Sequence, residues 1–245
     1  MPGCHVPTRD RAAAEIRAVA PLITCEPTPR LVGTVTVVAN GDRVIGVTSA
    51  ELLRPLQGTP LQLVTRLDGT ATVPITSYGM GRYMGLAIVE LEDTIPDGHD
   101  VVPLPISAVH ATVNTHGAPS VLVLITFEDG AYRRKVIDID VDADDVGQSD
   151  HVVYLAIPID PAHAGLAVEG APAFGWLPPD PVLRRPSEVV VFAIAYPHRA
   201  RHAKPHGLPV FAELVGLDDL GRALLVAAPT PADDRPKIVT GEIGD

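Results

Sequence analysis

Proline and glycine punctuate this chain from one end to the other. The 25 prolines and 21 glycines are spread between short runs of Val, Ile and Leu instead of being pooled in one linker. A proline inside a helix removes a backbone donor and clashes with the preceding turn, and a glycine there costs conformational entropy. Short strands joined by tight turns use both residues well. Apolar residues make up 46% of the chain, enough to bury a core, so the punctuation reads as turns in a folded protein. The expected class is all-β.

The apolar runs set out the order of strands. Leu31–Ala39 (LVGTVTVVA) is rich in β-branched residues and ends at Asn40-Gly41, a hairpin turn pair. Arg43–Ser49 returns from it. Leu61–Leu67 meets the turn pair Asp68-Gly69, and Thr70–Ser77 returns. Gly85–Leu91 is a fifth run. Val101–Val113 is a sixth, with Pro103 and Pro105 marking an edge or a connection. A second set begins with Ser120–Phe127, turns at Glu128-Asp129-Gly130 and continues with Ala131–Val141, His151–Ile159, Ala171–Leu177 and Glu188–Tyr196. The stretch 208–228 fits a hairpin or a helix equally well by period. Residues 8–20, with Thr8 as cap, fit a short helix, and Pro21, Pro27 and Pro29 then make an extended lead-in. The domain reading is a lead-in over 1–30, one barrel over 31–113, a second over 114–230 and a tail over 231–245. Two tandem six-stranded Greek-key barrels fit this count and spacing.

Charge and cysteine content narrow the function classes. Lys and Arg total 19 against 30 Asp and Glu, a net charge of −11. Nucleic acid and anionic membranes call for a basic surface, so neither is an expected partner. No apolar stretch is long enough for a membrane-spanning helix. The first residues carry Arg9, Asp10, Arg11, Glu15 and Arg17 where a secretory signal would be apolar. Cys4 and Cys25 are the only cysteines and read as reduced thiols. The expected location is the cytoplasm. Arginine far outnumbers the three lysines, a composition of GC-rich bacterial genomes.

Three segments, in order, resemble the chymotrypsin-like (trypsin-fold) serine peptidases, over roughly residues 30–200. The hairpin at 32–53 (VGTVTVVANGDRVIGVTSAELL) leads to Thr48-Ser49-Ala50-Glu51, where the family has its histidine motif. Met84-Gly85-Leu86-Ala87-Ile88-Val89-Glu90-Leu91 resembles the strand that supplies the triad aspartate. Gly165-Leu166-Ala167-Val168-Glu169-Gly170-Ala171-Pro172-Ala173-Phe174 resembles the nucleophile loop. The resemblance implies a peptidase fold with every catalytic position replaced. The histidine position holds Glu51, the aspartate position Gly85 and the serine position Glu169. A serine nucleophile needs an imidazole to take its proton, and that imidazole needs a carboxylate to hold its tautomer. None of these roles is filled. The family's oxyanion hole would use the backbone N–H groups of Ala167 and Glu169, and a carboxylate beside it opposes a developing negative charge. The expectation is a pseudopeptidase without cofactor, binding another protein in a regulatory or assembly role, in a bacterial signalling or defence pathway.

Two other functions stay open from sequence. Glu51 and Glu169 face each other across the cleft of such a fold, and a close carboxylate pair can do acid–base work in another hydrolase class. Alternatively either side chain pairs with an arginine such as Arg54 or Arg82. The chain is also conceivable as the substrate of a separate protease, with 142–150 and 198–207 as cleavage loops. His151 and His163 with Ser49, Ser107 and Ser149 form no recognisable catalytic motif. Asp138, Asp140, Asp142 and Asp144 alternate like a solvated strand face, and Ala143 and Ser149 stand where a calcium loop needs Gly and Glu. His198, His202 and His206 are spaced four apart like a metal stripe, but Pro197 and Pro205 oppose a continuous helix, so the segment reads as an exposed basic loop. Gly79, Gly81 and Gly85 read as a turn.

Overall fold

The computed structural model describes residues 17–40, 43–81, 86–105, 121–128, 131–140, 146–148, 153–158, 166–167, 169–177, 188–196, 210–216 and 242–243. Nearly all of these lie in strands, turns or extended segments.

Six strands close the first barrel: β1 (Val19–Thr24), β2 (Leu31–Asn40), β3 (Arg43–Ser49), β4 (Leu61–Val64), β5 (Thr72–Gly81) and β6 (Leu86–Leu91). The order around the barrel is β1-β4-β5-β6-β3-β2, and pairing of β1 with β2 closes it. All six contacts are antiparallel. Asn40 still pairs with Arg43, so the β2–β3 connection holds two residues as a tight hairpin does, but it begins one position later than the Asn40-Gly41 signal marks. The Asp68-Gly69 turn is also present. Gly69 has φ +79°, and Asp68 Oδ1 accepts hydrogen bonds from the Thr70 N–H (2.9 Å) and hydroxyl (2.6 Å).

The barrel recruits its missing strand from the N-terminal side. Val101–Val113 was expected to supply it. Of its described residues, 101–105, only β7 (Leu104–Pro105) is strand, a two-residue parallel bridge to β2, and 106–113 lie outside the described residues. Prolines 103 and 105 account for this, since neither can donate to a ladder. Residues 19–24, read from sequence as helix end and lead-in, are instead β1, with all six residues buried. The first barrel therefore begins at Val19 and not at residue 31. The rest of the predicted helix, 8–16, lies outside the described residues. The α-helix among those described is α1 (Ala50–Leu53), followed by a 3-10 turn at Arg54–Leu56.

The second sheet contains β8 (Val121–Glu128), β9 (Arg133–Asp140), β10 (Val146–Gln148), β11 (Val153–Pro158), β12 (Pro172–Leu177), β13 (Glu188–Tyr196) and β14 (Val210–Gly216). Its order is β10-β11-β14-β13-β12-β8-β9. Matching β8, β9, β11, β12, β13 and β14 to β1 through β6 reproduces every pairing of the first barrel except one, the counterpart of β2–β3. Among the described residues that last seam, between β9 and β11, is unpaired, and the short β10 sits on β11 instead. The sheet is thus the same Greek key, without shown closure. Within 208–228, residues 210–216 are strand and the remainder lies outside the described residues.

β2 explains how the two sheets meet. Its inner face puts Val35 and Val37 into a core with Leu22, Leu53, Leu63, Tyr78 and Val89. Its other face carries Thr34 and Thr36, which are also fully buried. A strand buried on both faces needs cover from outside its own barrel, and the segment before β12 provides it. Among the described residues, Leu124, Ile125, Thr126, Phe127, Ala173 and Phe174 of the second sheet are buried. A further bridge is Tyr132, in the left-handed region at φ +43°, whose ring lies against the Gly69 turn.

Candidate functional site

The two resembling motifs meet where β3 ends and β12 begins. Ser49 is the last residue of β3 and is fully buried. The chain then turns into α1, which drives Ala50, Leu52 and Leu53 into the core. Glu51 falls on the outer side of that turn. Arg54 Nη1 donates to Glu51 Oε1 at 2.5 Å, with the two side chains 60% and 39% exposed. The arginine pairing weighed from sequence is therefore present, and it is Arg54 that supplies it. A pair this exposed contributes little to stability, typically about 0–1 kcal/mol.

The Glu169 loop is held by main-chain bonds. The Thr34 N–H donates to Glu169 O at 2.9 Å. The Thr34 hydroxyl donates to Ala167 O at 2.9 Å, and the Thr126 hydroxyl donates to the same oxygen at 2.6 Å. The Ala167 N–H donates to Phe127 O at 3.0 Å, and Leu166 forms a β-bridge with Glu128. The Thr48 hydroxyl donates to Thr34 O at 2.7 Å. The Thr34, Thr48 and Thr126 hydroxyls thus each have a partner, as burial demands, whereas the buried Ser49 and Thr36 hydroxyls have none among the described residues.

Gly170 lets this loop approach so closely. Its φ is +77°, and a Cβ there would lie 2.1 Å from Thr48 Oγ1 and 2.3 Å from Thr34 O. The same Cβ would sit 3.3 Å from Leu52 Cδ2, and one on Gly33 would meet both Leu52 Cδ2 (2.4 Å) and Glu169 O (2.8 Å). Leu52 and Gly170, the neighbours of Glu51 and Glu169, thus lie close to one another. Gly85 lies outside the described residues. The register Ser49↔Leu86 puts the start of β6 beside the end of β3.

Other sequence candidates fall elsewhere. His151, His163, His198, His202, His206, Ser107, Ser149, Arg82 and Cys4 lie outside the described residues, as do Asp142 and Asp144. Asp138 and Asp140 are in β9, and Cys25 is an exposed free thiol. Gly79 and Gly81 belong to β5, so the predicted turn there is a strand; a continuous ladder to β6 overrides the local glycine preference. Among the described residues no group of three His, Cys, Asp or Glu side chains is placed to hold a metal. No helix among them is long and apolar enough to cross a membrane. The sequence reading missed Thr34, Thr48 and Thr126. Their signal was faint: threonines inside apolar strand runs, where a β-branched residue is unremarkable.

No protein-family model matches the chain, and no curated protein matches it. Among solved structures, heparin-binding protein, a trypsin-like azurocidin, is similar with a TM-score of 0.57. The match covers 90% of this chain and 96% of that one, at 12% sequence identity. A likeness at that identity is one of architecture, and it agrees with the Greek-key order above: this chain has a trypsin-like β-barrel fold.

Proposed function

We propose that the chain is a pseudopeptidase: a trypsin-like fold, with both sheets built on the barrel plan, that binds another protein as a regulatory or assembly subunit and performs no proteolysis. One observation carries this reading. The Ala167 N–H, which the fold would aim at a substrate carbonyl, is bonded to Phe127 O at 3.0 Å. An oxyanion hole works through donors held ready for charge that develops in the transition state, and a donor spent within the protein adds nothing there. Glu51 and Glu169 at the histidine and serine positions point the same way. The pairing of Glu51 with Arg54 also counts against a Glu51/Glu169 acid–base pair, because it occupies the Glu51 carboxylate on the outer side of the turn.

The test is turnover of casein and of a fluorogenic peptide library by the purified chain. No turnover is expected. Activity that disappears in Glu169→Ala would refute the reading and would put Glu169 in a catalytic role.

A further inference from the structure

The barrel has an edge that the strand count does not require. β4 pairs with β5 only at Thr72, Val73 and Pro74. β5 runs on to Gly81 and keeps β6 on one side as far as Met80. Along residues 76–81 its other side has, among the described residues, one strand neighbour. That neighbour is β15 (Glu242–Ile243), from the last residues of the chain, in parallel register with Met80 and Gly81.

Two ladder steps are a weak hold. Ordering a chain end costs conformational entropy, and so short a ladder barely offsets it. The tail stays seated because it is tethered, which gives it an effective concentration in the millimolar range. An exposed strand edge is a template for any extended segment, and proteins often cover such edges. Here the cover is short, and the edge beneath it is longer than the cover.

We propose that the outer edge of β5, residues 76–81, is a strand-docking site for an extended, proline-free segment of a partner protein, and that the chain's own C-terminus occupies it in cis until the partner displaces it. This rests on the protein-binding reading above and names its surface. Recognition is by main-chain hydrogen bonds, the mode of β-augmentation. A partner strand spanning the whole edge makes a longer ladder than the tail does, and therefore wins.

The probe is a fluorescein-labelled peptide of residues 237–245, KIVTGEIGD. Its binding is followed by anisotropy to the full chain and to a chain ending at Gly241. Removing the tethered competitor is expected to tighten binding about tenfold. A probe with proline in place of Ile243 loses a ladder donor and is expected to bind at least about tenfold more weakly to the shortened chain. That arm leaves the protein unaltered, so misfolding cannot produce it. Hydrogen exchange supplies the location: amides in 76–81 should lose protection in the shortened chain and regain it with the probe. Equal affinity for both chains, equal binding of the proline probe, or aggregation of the shortened chain without probe binding would each overturn the proposal. Failure here with no proteolysis leaves the pseudopeptidase reading intact. Proteolytic turnover would defeat that reading without touching the edge.

Discussion

Replacing Gly170 by alanine tests whether the loop before β12 is seated on the first barrel. The residue sits at φ +77°, where a Cβ costs about 1–2 kcal/mol. The new methyl would stand 2.1 Å from Thr48 Oγ1 and 2.3 Å from Thr34 O. The Thr48 hydroxyl already donates to that carbonyl at 2.7 Å. Pushing it aside breaks a buried hydrogen bond worth about 1 kcal/mol and leaves polar atoms unpaired for about 1 more. Backbone crowding adds about 1 kcal/mol. Gly170→Ala should therefore destabilise the protein by about 4–5 kcal/mol. Gly58 separates the terms: its φ is +82°, but nothing lies within 4 Å of an added Cβ. Gly58→Ala should cost only the conformational part, about 1–2 kcal/mol. For a chain this long, 1 kcal/mol moves Tm by about 3 °C, so the expected drops are near ~13 °C and ~4 °C. Circular dichroism follows the whole molecule, and the single tryptophan, Trp176 in β12, reports on the second sheet. Equal losses in the two variants would refute the reasoning, since the methyl would then have room and the loop would not be clamped on β2 and β3.

Tyr78 is 3% exposed, and its hydroxyl has no hydrogen-bond partner among the described residues. Tyr78→Phe should stabilise the protein at neutral pH by about 1 kcal/mol, read from the urea midpoint. Burial also pushes the Tyr78 phenol up, so its contribution is present below the unfolded value and lost as pH rises through the folded one. The advantage of the phenylalanine variant should therefore widen at alkaline pH, and a loss of stability at neutral pH would mean that the hydroxyl is bonded after all. The Thr70 hydroxyl, then its N–H, holds the Asp68 carboxyl below its ordinary value. A depressed carboxylate contributes stability above its unfolded value that disappears as pH falls through the folded one. Thr70→Val should move the Asp68 titration upward in NMR, while an unchanged titration would remove the hydroxyl from the account.

Local chemistry settled a large part of this fold. Hairpin β2–β3 follows from two β-branched runs around Asn40-Gly41, and the bounds of β13 coincide with its apolar run. In these places side-chain period and turn residues agree, so little competes with them. The errors occurred where local preference and tertiary pairing disagree. Val19 and Ala20 tolerate a helix, and only the open ladder positions on β2 make them strand. Residues 101–105 open a run that looks like a strand by composition, but among these described residues the prolines leave just a two-residue bridge.

The candidate site divides along the same line. Motif order alone is what assigns Glu51 and Glu169 to the histidine and serine positions in the reading proposed above. That Arg54 takes Glu51, and that Phe127 O takes the Ala167 N–H, was not legible in the sequence. Residues 34, 48, 126 and 167 are far apart in the chain, and no period links them. Their hydrogen bonds exist because two sheets bring buried polar groups together, and burial obliges each to find a partner. The sequence by itself determined the all-β class and the positions of most strands and hairpin turns. Only the tertiary structure decided which strand closes the barrel, which donors are already spent, and that the chain's last residues lie along β5. Those outcomes depend on contacts between distant segments, which a local reading cannot rank.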